Sequence, residues 1–413
     1  MKRNLKYTLL ACASLFFNFH FSIFNSAEAQ SFSFDFHGFV NPHYYADSRA
    51  VVGGREDMML FYPKPIVLDS LGNDLNDGWQ ADMLAITARL GLRVSGPDML
   101  GAKTTAYIEG DFTGSTNATI NDLRLRHAYI DMDWGGRHRL LMGQYWYAMV
   151  IHEIMPMTNP LNMGSPFHCY ARQPQVRYEY HLGGLEAVAV AQWQLDNMSQ
   201  GLLNGQAVSS TQFARHSMVP ELTAQLRYRT DKLFIGAAVN AKTIQPVVPY
   251  VAVTQQHTER LHTSLTYSVF GKATFGPVTL KAQTLLNNSL YEGCSLGGYL
   301  IYTSVMGNEV MFRDWTFNTV WLDIERNSGH WRPGIFLGYA QKQDEGPVLA
   351  IYSTTAVLGR GYDMDYLWRV QPRLTYATGT GLSFTGEAEY TCAGYSNGPV
   401  GNLRLSLSAV YAF

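Results

Sequence analysis

The chain ends on a run in which Leu403, Leu405, Leu407, Ala409, Tyr411 and Phe413 alternate with Arg404, Ser406, Ser408, Val410 and Ala412. Period two is the mark of a β-strand whose two faces meet different surroundings. One face suits hydrocarbon and the other suits water. The pattern recurs. Leu84, Ile86, Ala88, Leu90, Leu92 and Val94 oppose Thr87, Arg89, Gly91 and Arg93. Leu222, Ala224, Leu226 and Tyr228 oppose Glu221, Thr223, Gln225, Arg227 and Arg229. Similar alternation runs through 175–182, 364–376 and 382–391.

Such segments predict sixteen strands, near 34–45, 82–95, 103–112, 122–133, 137–145, 174–181, 185–195, 220–229, 232–241, 260–274, 278–288, 312–325, 330–340, 364–377, 381–393 and 402–413. Alternate links are short and rich in turn formers, such as Gly135-Gly136, Gly183-Gly184 and Gly276-Pro277. Most of the others are long: 46–81, 146–173, 196–219, 242–259, 289–311 and 341–363. Tight turns at one end and long loops at the other are the pattern of a transmembrane antiparallel β-barrel. Closure follows from physics, because an unpaired backbone group in hydrocarbon costs several kcal/mol and an open sheet has two unpaired edges. Sixteen strands enclose more space than side chains on the wall can fill, so water enters.

Composition agrees. Charged residues are 15% of the chain and aromatics 13%, with 25 Tyr, whereas soluble domains carry about 25% charged residues. After residue 29 no uninterrupted apolar run approaches the roughly 20 residues of a spanning helix. Lys2, Arg3 and Lys6, an apolar stretch and Ala27-Glu28-Ala29 read as a cleaved export signal over 1–29. The alternatives are an N-terminal anchor or a lipoprotein signal at Cys12. Residues 30–413 then form one barrel with a net charge near −4, which argues against a nucleic-acid partner. Both termini fall at the short-turn end, in the periplasm. Tyr129, Trp134, Tyr145, Trp315, Trp321, Trp331, Trp368, Tyr376, Tyr411 and Phe413 lie near strand ends and are candidates for the aromatic girdles. Cys169, Cys294 and Cys392 remain after cleavage, and one pair could bridge in an oxidising compartment.

The alternation directs Arg89, Arg93, Glu109, Asp111, Arg124, Arg126, Arg177, Glu179, Glu221, Arg227, Arg229, Arg369, Arg373, Glu387, Glu389 and Arg404 to the water-filled side as candidate pore-lining residues. Facing cations and carboxylates set up a transverse field, and rings of cations favour anions. The bland reading is that these charges solvate the wall and pair with one another. Segment 146–173 is unusually apolar for an external loop, with Met149, Val150, Ile151, Ile154, Met155, Met157, Leu161, Met163 and Phe167. Such a loop needs covering, inside the barrel as a constriction or at an oligomer contact. Its polar residues His152, Glu153, His168 and Arg172 would then face the passage. His152-Glu153 and His168-Cys169 lack metal-motif spacing. No catalytic constellation emerges and no cofactor is called for. His127 falls on the lipid-facing side of the alternation, which suggests a protein-covered face there.

The runs Tyr107-Ile108-Glu109-Gly110-Asp111-Phe112, Leu123-Arg124-Leu125-Arg126-His127-Ala128-Tyr129-Ile130 and Gly143-Gln144-Tyr145-Trp146 resemble the DcaP-like family of trimeric outer-membrane porins. The aromatic-rich character is similar to members from the Bacteroidetes. The resemblance covers roughly 103–147. It implies sixteen-stranded monomers in a homotrimer embedded in outer-membrane lipid, with passive uptake of small hydrophilic, often anionic, solutes. The alternatives are a gated, substrate-specific channel and a surface-binding barrel with a closed lumen.

Overall fold

The computed structural model describes residues 32–159, 163–251, 256–304, 309–343 and 352–413. The expected export signal lies outside them. The wall is a closed sixteen-stranded antiparallel β-barrel. Strand β1 runs as Ser33–Val40 and His43–Arg49, broken at Asn41-Pro42, and β2 as Asp77–Leu84 and Arg89–Ser95. Strands β3 to β8 are Lys103–Asp111, Arg124–Trp134, His138–Trp146, Arg172–Leu182, Leu185–Gln192 and Glu221–Arg229. Strands β9 to β12 are Leu233–Ile244, His262–Phe275, Val278–Asn288 and Phe317–Arg326. Strands β13 to β16 are Trp331–Lys342, Met364–Ala377, Leu382–Tyr395 and Gly398–Ala412. Each strand pairs with its sequence neighbours, and β1 closes the ring against β16, with His43 opposite Ser408 and Phe39 opposite Ala412.

Burial is inside-out. Leu405 and Leu407 on β16 are exposed, while Arg404 and Ser406, which alternate with them, are buried. A hydrocarbon-facing wall around a polar interior produces this inversion. No helix among the described residues is long and apolar enough to cross a membrane.

The interior is not empty. Residues 147–159 and 163–171 turn back into the barrel and pack on its inner wall, from Gln192 and Glu221 on β7 and β8 round to Glu387 and Ser406 on β15 and β16. Phe167 meets Phe336 with ring centroids 6.1 Å apart. Gly338 allows the approach, since a Cβ there would lie 2.7 Å from the Phe167 ring. A hairpin formed by Val51–Gly54 and Met59–Pro63 folds in beside it. Together they build an apolar core inside the barrel, with Trp321, Phe336, Met149 and Ile154 fully covered.

Several sequence expectations shift. The strand expected at 312–325 is two elements: Val310–Trp315 belongs to a small sheet with Gly297–Ser304 and Tyr352–Arg360, and the wall resumes at Phe317. Residues 85–88 interrupt β2 and turn Ile86 inward. Of the proposed girdle, Trp331, Tyr376, Tyr411 and Phe413 are outward and exposed, whereas Tyr129, Trp315 and Trp321 are buried. Tyr145 packs edge-on against Tyr129. His127 is not on the lipid face. A β-bulge between Glu109 and Gly110 opposes two residues of β4 to one of β3, so consecutive Arg126 and His127 are both buried inside.

Candidate functional site

The bulge concentrates charge. Because it points two successive side chains inward, Arg126 reaches both inward carboxylates of β3. Its Nε donates to Glu109 Oε1 at 2.6 Å and its Nη1 to Asp111 Oδ2 at 2.7 Å. Arg124 Nη2 donates to Asp111 Oδ2 at 2.9 Å, and Arg89 pairs with Glu109 at 3.5 Å. Arg172 approaches from the first position of β6, stacked 4.2 Å from the Trp146 ring centroid, with its Nη2 on the Tyr170 hydroxyl at 3.0 Å. Arg55, from the inward hairpin, completes the group. Six guanidinium groups, Arg360 included, line a cavity of about 400 Å³ with Asp111, and Glu109 pairs with two of them, Arg89 and Arg126. Asp196 and Glu292 also line it, but Glu292 is held by Lys242 at 2.7 Å. Arg55 Nε, Arg126 Nη2 and Arg172 Nε are buried with no protein acceptor. The surplus of positive charge acts on Tyr170. Burial opposes ionisation of its phenol, but Arg172, Arg126, Arg89 and Arg124 overcome this and bring its pKa down to about 7.

Nearer the short turns, a second polar cavity of about 250 Å³ lies between β5–β8 and the inward segment. His152 and Glu153 line it, as do Arg177, Arg227 and Arg229. Glu153 accepts from Arg229 at 3.0 Å and Arg227 at 3.3 Å. Burial disfavours its charge, but Arg227, its own backbone N–H, Arg229 and Arg177 hold its carboxyl below the usual range. Arg177 pairs with Glu179 at 2.5 Å and Arg229 with Glu186 at 2.6 Å. Arg93 lies over the Tyr107 ring at 5.2 Å.

On the opposite wall the predicted residues are brought together in a different way. Arg369, Arg373, Glu387, Glu389 and Arg404 point inward, yet they lie under the folded-in segments. Arg404 clasps Asp47 at 2.6 Å and donates to the carbonyls of Asp57 and Met58. Arg369 pairs with Glu389 at 3.0 Å and donates to the carbonyls of Leu60, Phe61 and Ser165. Glu387 accepts the Asn159 N–H at 3.1 Å. Arg373 is taken up by Asp323 and Glu325. Glu221 accepts from Tyr147 and Asn240. His168 bonds Gln283 at 2.7 Å inside the apolar core, beside the free, buried Cys169. Cys294 and Cys392 are also free. A third cavity, about 450 Å³, lies below Met157–Asn159 at the short-turn end.

Sequence reasoning passed over Arg55, Arg139 and Tyr170. Arg139 shares the alternation of β5 and was findable from it. Arg55 and Tyr170 sit on non-periodic segments and carried no such signal.

A closed sixteen-stranded wall, an inward-folded segment after β5 and a charged interior define a barrel of the outer-membrane porin type. The outer membrane channel DcaP of Acinetobacter baumannii is similar in fold at 19% identity, with 93% of this chain and 98% of that chain covered and a TM-score of 0.67. The trimer form of OmpT of Vibrio cholerae (11% identity, 93% and 100% covered, TM-score 0.55) and an anion-selective porin from Comamonas acidovorans (10%, 93% and 100%, TM-score 0.54) share it as well. No protein-family model matches the chain, and no curated protein matches it significantly in sequence.

Proposed function

We propose that the protein is a bacterial outer-membrane porin for passive diffusion of small hydrophilic solutes, with a preference for anions, working as a homotrimer. The path lies off the barrel axis, along β2–β8, because the folded-in segments occupy the β9–β16 side. Segment 146–173 is the constriction. Arg89, Arg93, Glu109, Asp111, Arg124, Arg126, Arg177, Arg227 and Arg229 line the path, with Glu153, His152 and Arg172 facing them. Arg369, Glu387 and Arg404 anchor the segments instead, Glu389 holds Arg369, and Arg373 is held by the wall carboxylates Asp323 and Glu325.

The observation that carries the anion preference is the arginine cluster around the 400 Å³ cavity. Its buried N–H groups without protein acceptors leave the cluster with donor capacity that the protein's own carboxylates do not use. Cation rings in a narrow pore attract anions, and low surrounding dielectric strengthens that attraction. Single-channel recording in a planar bilayer under a salt gradient tests the reading. The expected result is stable conductance with an anion-leaning reversal potential. A cation-leaning potential would remove the anion preference. Insertion without conductance would overturn the open porin in favour of a gated channel or a surface-binding barrel.

A further inference from the structure

Two of the cysteines sit on segments that dock on each other inside the barrel. Cys169 lies near the end of the folded-in segment and is fully buried. Cys294 follows the short turn Tyr291–Gly293, in the connection after β11. Two hydrogen bonds fix the crossing. The Tyr170 N–H donates to the Gly293 carbonyl at 2.7 Å, and the Ser295 hydroxyl donates to the Pro166 carbonyl at 2.8 Å. Numbers fall along one segment as they rise along the other, so the two run antiparallel. Where antiparallel segments meet, the residues next to a hydrogen-bonded pair face each other with their side chains close. Next to Tyr170 and Gly293 those residues are Cys169 and Cys294.

The side chains agree. A Cβ on Gly293 would lie 3.7 Å from both Cβ and Sγ of Cys169, so that thiol already reaches the backbone to which Cys294 is joined. Burial pushes the Cys169 thiol up, and Cys294 is the foremost of the neighbouring groups that add to the effect. The Cys294 side of the crossing is held still. Arg360 Nη1 donates to the carbonyls of Tyr291 and Ser295 at 2.8 and 3.1 Å, and Asn197 donates to that of Glu292 at 2.9 Å. Cys392 is set apart. On β15 it shares the outward register of exposed Tyr390, while Glu389 and Thr391 point inward and are buried. The barrel wall separates it from the other two.

We propose that Cys169 and Cys294 form a disulfide in the exported protein, a staple that locks the folded-in segment to the wall of the arginine-lined cavity. An outer-membrane protein passes through the oxidising periplasm, where paired thiols persist as disulfides. A disulfide needs Cα atoms about 4.4–6.8 Å apart, the range that facing residues of antiparallel segments supply. Cys294 lines the cavity and is only half-buried, so it meets the oxidant first. That oxidant is an external disulfide. The Cys294 thiolate attacks one of its sulfurs, expels the other as a thiolate and forms a mixed disulfide. Cys169 then loses its proton, attacks the Cys294 sulfur and expels the second thiolate. One S–S bond is broken and one is made. Two electrons leave with the oxidant, and the two thiol protons go to solvent or to the expelled thiolates. The inference rests on export to the outer membrane and not on conduction.

Thiol mapping tests it. Protein from outer membranes is quenched in acid, unfolded in urea without reductant, labelled with iodoacetamide and digested for peptide mass measurement. The expected result is label on Cys392, none on Cys169 or Cys294, and a pair of peptides joined through 169 and 294. That pair should be two hydrogens lighter than its parts and should separate with dithiothreitol. Label on both Cys169 and Cys294, or a bridge from either to any other cysteine, would overturn the proposal. A second measurement uses Cys169→Ser, which leaves the Cys294 thiol open to the cavity. A negatively charged methanethiosulfonate reagent is expected to lower the single-channel conductance of this variant at least about two-fold and to leave the native protein unchanged. A fall in the native protein would reveal a free Cys294 and overturn the bridge. An unaffected variant would overturn the placement of Cys294 on which the bridge depends. If the barrel does not conduct at all, the porin reading fails and the mass measurement still decides the disulfide.

Discussion

At the scale of single residues, the interior charges divide by what they touch. Arg172 has one buried N–H without a protein acceptor and lines the 400 Å³ cavity on the proposed path. Arg172→Gln is expected to move the reversal potential toward zero, with anion-to-cation permeability falling at least about two-fold, because one cation is lost while the wall keeps its backbone pairing and only the side-chain contacts with the Trp146 ring and Tyr170 change. Tyr170 adds a pH dependence. Below about 7 its phenol is neutral and the cluster keeps its full positive charge; above it the phenolate cancels one guanidinium. Anion preference should therefore weaken as pH rises from 6 to 8.5, and Tyr170→Phe should abolish that part of the drift. Equal drift in both proteins would show that another group titrates. Arg404 belongs to the other class. It is fully buried against Asp47 and two carbonyls. Arg404→Ala leaves the buried Asp47 carboxylate without its cation, with only the Asn402 amide still donating to it, and should lower stability by about 3–5 kcal/mol, read as a shift of the urea midpoint for loss of the compact gel band, with little change in selectivity.

At the scale of elements, Gly338 and Phe167 decide whether the constriction stays docked. Gly338→Val places carbon where the Phe167 ring sits, so the segment should lift from β13. Conductance and current noise should both rise, while an unchanged trace would mean the segment is held mainly by Arg369 and Glu387. The positions of the wall strands were legible because period two survives wherever one face is wet and the other greasy. The folded-in elements were not. Met59–Pro63 is buried at every position and shows no alternation, because the barrel wall and its own neighbours cover both faces. The apolar character of 146–173 did announce a covered segment, but its course against the inner wall depends on partners far away in sequence. The β4 bulge was hidden for a simpler reason: strict alternation has no place for Arg126 and His127 on the same side. The charge cluster was half legible, with its strand-borne members read from period and Arg55 and Tyr170 unmarked.

At the scale of the whole molecule, two solvents meet one chain, and a third environment, the apolar core, is built between them inside the barrel. Its presence on one side is what moves the proposed path to the other. The seam of the wall has a consequence of its own. Phe413 exchanges backbone hydrogen bonds with Gly38, and each partner is within a few residues of its end of the described chain. The first wall strand is thus paired on both sides only once the sixteenth is in place. Until all sixteen wall strands are paired, the cylinder has two raw borders and no stable place in a bilayer. A wall short of its sixteenth strand cannot settle as a smaller pore, because His43 and Phe39 would lack their partners Ser408 and Ala412.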